Sequence, residues 1–131
     1  KRDLGKAISE TDLEQISKLI LCTKTNYSYE DIKKVKYADL LHDLDMISFI
    51  DYDTMTANDV KIKTEYSAIT PLDFYKYKLK YFDRLINEGV FISSQYKKYN
   101  SIAIENIKRY TKEIEELIRK NGRIRRCVKW I

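Results

Sequence analysis

The stretch YADLLHDLDMISFI, residues 37–50, decides how the rest of this chain is read. Tyr37, Leu40, Leu41, Leu44 and Ile47 recur at helical spacing and predict an apolar stripe turned toward a core. Asp39, His42, Asp43 and Asp45 are set into the same turns, and His42 is the only histidine in the chain. At about 100° per residue, Asp43 falls between Leu40 and Ile47 on one side and Met46 and Ile50 on the other. Asp45 falls on the opposite flank, beside Leu41 and Phe49. The two carboxylates are therefore expected to face different surroundings, with Asp43 the more enclosed. An enclosed carboxylate is costly unless a cation or a hydrogen-bond donor meets it. The plainer expectation is a pair of surface acids beside a core stripe.

Upstream of this stretch, Thr11 and Glu14 have the spacing of a capping box, and Leu13, Ile16, Leu19, Ile20 and Thr23 share one face. They predict a helix over 11–23. Ser28 with Asp31 starts a second helix carrying Ile32 and Val35, either continuous with the organising helix or bent near Lys36. Downstream, residues 51–54 interrupt the pattern, and Thr56 with Asp59 caps a helix running to about residue 66. Thr70-Pro71-Leu72-Asp73 is the clearest start signal: a capping Thr, Pro at the first helical position and an acid at the third. Leu72, Tyr75, Leu79, Phe82 and Ile86 hold its face and Gly89 closes it. Residues 90–99 show no period and are read as a short helix or turn. The spacing predicts a strong helix over 101–120, with Ile104, Ile107, Ile114, Leu117 and Ile118 inward and Gly122 ending it. The expectation is a single all-α domain over residues 1–131, a compact bundle of about five helices.

At 131 residues the chain is long enough for one real core. No run approaches the ~18 consecutive apolar residues of a membrane span. Cys22 and Cys127 form no motif, no secretory signal is visible, and the setting is read as reducing and cytoplasmic. A net charge of +5 permits phosphate-bearing partners without demanding them. The chain starts at Lys1 without Met, which reads as a processed chain or part of a longer one.

Gly5, Gly89 and Gly122 stand alone, so no phosphate-cradling loop exists, and there is no CxxC or HExxH pattern for a self-contained zinc site. Nothing in the spacing supports a nucleophile built on His42. Arg119, Lys120, Arg123, Arg125, Arg126, Lys129 and Trp130 make an acid-free basic terminus. Nucleic acid would use it through phosphate contacts and stacking; a solvated tail beyond a helix C-terminus is the plainer expectation. Tyr75, Tyr77 and Tyr81, interleaved with lysines, are read as core-edge residues.

LLHDLDMISF resembles the "L-D-x-D-L-x-x-L" segment of a family of small metal-dependent phosphohydrolases of the HD superfamily. Leu19 to Lys24 is similar to that family's "L-I-x-x-T-K" helix end, Glu65-Tyr66 to its "E-Y", and Ala103, Asn106 and Ile107 to its late "A-R-x-N-L". The resemblance spans about residues 10–118. It implies a divalent metal held by an early His, a His-Asp pair and a late Asp, activating water against a phosphoester. Only the late Asp has a counterpart, Asp43 or Asp45, and the helical wheel favours Asp43. His42-Asp43 spells the family's pair but lies in the late-aspartate segment. Asn26 and Asn100 stand where the family carries a His and an acid.

The resemblance therefore implies the C-terminal part of a longer HD-like domain, incomplete as an enzyme unless upstream ligands are supplied to a metal at Asp43 or Asp45. The alternative is a non-enzymatic binding or assembly protein, contacting nucleic acid through its basic terminus. In either case a second copy, a partner protein or a cleaved upstream segment is expected to cover the aspartate helix. A phosphate-bearing small molecule or nucleic acid is the expected ligand class, and no membrane is involved.

Overall fold

The computed structural model describes residues 8–23, 28–65 and 69–129, with side chains followed to Asn121. Among the described residues there are six α-helices and two 3-10 turns, and no strand. They are α1 (Glu10–Cys22), α2 (Tyr29–Lys33), α3 (Ala38–Asp45), a 3-10 turn (Ile47–Ile50), α4 (Tyr52–Glu65), α5 (Pro71–Glu88), a second 3-10 turn (Lys97–Tyr99) and α6 (Asn100–Lys129). No described helix is long and apolar enough to cross a membrane.

The helix starts follow from side-chain oxygens meeting orphan amides. Ser28 Oγ accepts from the Asp31 amide and Thr70 Oγ1 from the Asp73 amide, both at 3.2 Å. Two starts differ from the sequence reading. Ser9, not Thr11, caps α1, taking the Asp12 amide at 3.1 Å. Asp51 caps α4, its Oδ2 accepting from the Thr54 amide at 3.0 Å and the Thr54 hydroxyl at 2.6 Å. The break expected at 51–54 is therefore a helix start. Gly89 ends α5 with φ 93° and ψ 158°, backbone that a side chain would strain. Gly122 does not end α6, which runs on to Lys129; a single interior glycine costs only about 1 kcal/mol, which thirty residues of helix absorb.

The core is built mainly by α5 packed on α6. Phe82 and Leu85 from α5 meet Ala103, Ile107, Tyr110 and Ile114 from α6, joined by Met46, Met55, Val90 and Phe91. A smaller cluster joins Cys22, Ile32, Ala38 and Ile92, tying α1, α2 and α3 to the segment after Gly89. Leu117, expected inside, is exposed.

The organising stretch faces the opposite way from its reading. Tyr37, Leu44 and Ile47 are 57%, 54% and 42% exposed, and Leu40 and Leu41 only half-buried. The inward face of α3 is Ala38, Asp43 and Met46, with His42 beside them. The small Ala38 lets the helix sit close against Ile32 and Ile92. Tyr37, the only described non-glycine residue with positive φ (67°), turns the chain into α3 and fixes that rotation.

Candidate functional site

Residues 90–93 follow Gly89 as an irregular segment, yet Val90, Phe91, Ile92 and Ser93 are all buried. Buried backbone amides need acceptors, and no neighbouring strand or helix supplies them. Two side chains do. Asn100 Oδ1, at the start of α6, accepts from the Val90 and Phe91 amides at 2.9 and 2.8 Å. Asp43, on α3, accepts from the Ile92 amide through Oδ1 at 2.9 Å and from the Ser93 amide through Oδ2 at 2.8 Å. Four consecutive amides are thus held by one carboxamide and one carboxylate.

Asp43 is fully buried, as the helical wheel expected, but the donors that meet it are backbone amides. His42 Nδ1 lies 3.1 Å from Asp43 Oδ1, and the imidazole meets the Tyr29 ring edge-on at 5.2 Å. A carboxylate only accepts, so Nδ1 is the donor in this contact. Asp43 therefore orients His42 as well as the segment.

Beside this clamp is a cavity of about 200 Å³, whose wall includes Cys22, Tyr29, His42, Asp45, Tyr81 and Arg84. Three of its polar side chains are engaged. The Tyr29 hydroxyl donates to the Gly89 carbonyl at 2.7 Å, and burial pushes its pKa up to about 12. The Tyr81 hydroxyl donates to Met46 Sδ at 3.6 Å, and burial likewise pushes its pKa up to about 12. Arg84 pairs with Glu88 at 2.9 Å, which raises its pKa, and lies over the Tyr29 ring.

A second buried polar group sits between α4, α5 and α6. Lys78 Nζ is 2.9 Å from Asp59 Oδ1, and the Tyr110 hydroxyl donates to Asp59 Oδ2 at 2.6 Å. All three residues are buried. The Lys78 ammonium also lies 5.7 Å from the rings of Phe74, Tyr81 and Phe82. Burial and the Asp59 hydrogen bond push the Tyr110 phenol well above its ordinary range. Lys78 is on the inward line Phe74, Lys78, Phe82, Leu85, which sequence reading passed over because a lysine is rarely buried unpaired. Its spacing was the available signal.

Of the residues singled out from sequence, Asp43 and Asp45 do not face one site: Asp43 is enclosed and Asp45 exposed at the rim of the cavity. Among the described residues no three His, Cys, Asp or Glu side chains converge as a metal would require. With both Asp43 oxygens already accepting hydrogen bonds, the described residues do not themselves fit a metal centre. Arg119 is exposed and pairs with Glu116, and Lys120 is exposed. Arg123, Arg125, Arg126 and Lys129 lie on helical backbone with side chains outside those described, and Trp130 lies outside the described residues.

The remaining unusual feature is the outward apolar surface. Besides Tyr37, Leu44 and Ile47 on and beside α3, α1 exposes Leu13, Ile16 and Ile20 by 51%, 44% and 61%. Toward the body α1 turns Gln15, Leu19 and Cys22, and Gln15 Nε2 donates to the Lys36 carbonyl at 3.0 Å. Helix α1 thus carries an apolar stripe away from the core, and the adjoining α3 exposes Leu44, with Tyr37 before the helix and Ile47 after it also exposed. Comparison of the chain with protein-family models, with curated proteins and with solved structures gave no match.

Proposed function

We propose that this chain is a binding or assembly module that works through the outward apolar faces of α1 and α3. The carrying observation is the exposure of Leu13, Ile16 and Ile20 on one helix and Tyr37, Leu44 and Ile47 at the other. Single exposed apolar residues are ordinary, but a stripe at helical spacing on one helix with further exposed apolar residues at its neighbour is the pattern of docking surfaces. The polar interior agrees with this reading. Asp43, Asn100, Asp59 and Lys78 are occupied in holding backbone and helices together. The phosphohydrolase reading rests on the resemblance over residues 10–118. It would ask Asp43 to exchange amide hydrogen bonds for an ion.

A photo-reactive benzoylphenylalanine at position 44 or position 20, with exposed Lys108 as control site, tests the reading in the expressing cell. Adducts at 44 and 20 and none at 108 are expected. Absence of adducts at both apolar positions would overturn it.

A further inference from the structure

We infer that the occupant of the α1 stripe is a second copy of this chain, paired antiparallel through α1. The inference rests on the assembly reading above and adds the partner and its orientation.

Three observations carry it. First, the stripe has the spacing of a helix-pairing seam. Leu13, Ile16 and Ile20 lie within about 60° of one another on the wheel, with Ser17 and Leu21 completing the outward face. All of these are exposed. Second, charge along the helix is polarised. Glu10, Asp12 and Glu14 occupy the first half and Lys18 the second, with no base in the last turn. A parallel pair would set acids beside acids. An antiparallel pair centred between Ile16 and Ser17 sets Leu13 of each copy against Ile20 of the other and brings Glu14 of each beside Lys18 of the other. The two helix dipoles then also run in opposite directions. Third, Ile16 and Ser17 flank the centre, so each Ile16 meets the small Ser17 of the other copy and the two backbones approach closely where the symmetry axis would pass. Such a pairing is isologous, each contact occurring twice, as closed two-fold dimers require.

The stripe of one thirteen-residue helix is smaller than a standard interface, so the association is expected to be weak and visible at micromolar concentration. Sedimentation equilibrium of the full chain over roughly 10–500 μM is the test. Concentration-dependent dimerisation is expected for the native sequence and its loss for Ile20→Glu, with helical circular dichroism unchanged because the position is exposed. Glu14→Lys and Lys18→Glu should each weaken the dimer by about tenfold. An equimolar mixture of those two variants should dimerise more tightly than either alone, because every cross-pair then joins opposite charges.

A single species near 15.7 kDa at all concentrations would overturn the inference. So would an Ile20→Glu chain that associates like the native one, or a mixture no tighter than its components. If the photo-adducts at positions 44 and 20 persist at another mass while the native chain stays monomeric, the assembly reading stands and only the second copy falls.

Discussion

Replacing Asp43 with Ala removes the acceptor of the Ile92 and Ser93 amides, which are buried and have been taken out of water. Leaving a buried donor unsatisfied costs about 1–3 kcal/mol, so two amides set a range of roughly 2–6 kcal/mol. Local relaxation that admits water lowers this, and about 3–4 kcal/mol is the expected loss. That is a large share of a typical 5–15 kcal/mol domain stability. In urea, at a slope of about 1–3 kcal/mol/M, the midpoint should fall by about 2 M with the slope unchanged. Asp43→Asn should lie between, since its one carbonyl oxygen serves a single amide. Asp45→Ala should stay within about 0.5 kcal/mol of the native chain. Hydrogen exchange should show the Ile92 and Ser93 amides losing protection first. The opposite sign is informative. A carboxylate kept for a metal is an uncompensated buried charge in the metal-free chain, and its removal would raise the midpoint. A midpoint unchanged or raised in Asp43→Ala, with both amides still protected, would refute the clamp.

Lys78→Met should destabilise the chain by about 3–5 kcal/mol, because Asp59 keeps only the Tyr110 hydroxyl, whereas the double change with Asp59→Leu should recover most of the loss in the same urea assay. Tyr29 and Tyr81 have pKa values raised to about 12 in the fold against about 10 when unfolded. Their contribution is complete below pH 10 and is lost as pH rises through 12, because the unfolded chain sheds these protons first. Phenolate absorbance and circular dichroism followed together from pH 9 to 12.5 should show unfolding before these two tyrosines titrate natively; unfolding only on the acid side would contradict it. Tyr37→Gly should raise stability by about 0.5–1 kcal/mol, since φ 67° costs tyrosine more than glycine and the ring is exposed; a lower melting temperature would show that the ring contributes packing.

What was legible in the sequence was local. Ser28 and Thr70 act on amides three residues away, so their spacing alone reveals them. On α6 the period found Ile107 and Ile114, which are buried, but not Ala103 and Tyr110, which complete the same buried line. The organising stretch was read with the right element and the wrong face. An eight-residue helix has an apolar stripe and a polar stripe, and which one turns inward depends on what the other side offers. Here it offers the bare amides of Ile92 and Ser93, about fifty residues away, and no periodicity announces them. The same distance hid Lys78, whose partners Asp59 and Tyr110 lie on two other helices. Asn100 drew notice as a departure from a resembling family. Its part in holding the Val90 and Phe91 amides required knowing that the segment after Gly89 is buried. A run of three apolar residues with no period was the signal, read backwards: unpaired buried backbone implies a polar side chain elsewhere.

The Asp43 clamp also bears on the order in which this chain folds. A carboxylate gains from two amides only after water has left their surroundings, which requires Val90 and Phe91 packed into the α5–α6 core and Ile92 packed against Cys22, Ile32 and Ala38. Bringing residue 43 to residues 92 and 93 closes a loop of about fifty residues, an entropy cost that local helices do not bear. The bond therefore belongs to the last stage of folding, after the transition state. Its removal should leave the refolding rate nearly unchanged and appear almost wholly as faster unfolding. In the native state, α3 should detach from Ile92 and Ser93 before the α5–α6 pair, which holds Val90 and Phe91, opens. The exposed Leu44 is carried by that same helix, so whatever docks there draws on the least costly opening of the molecule.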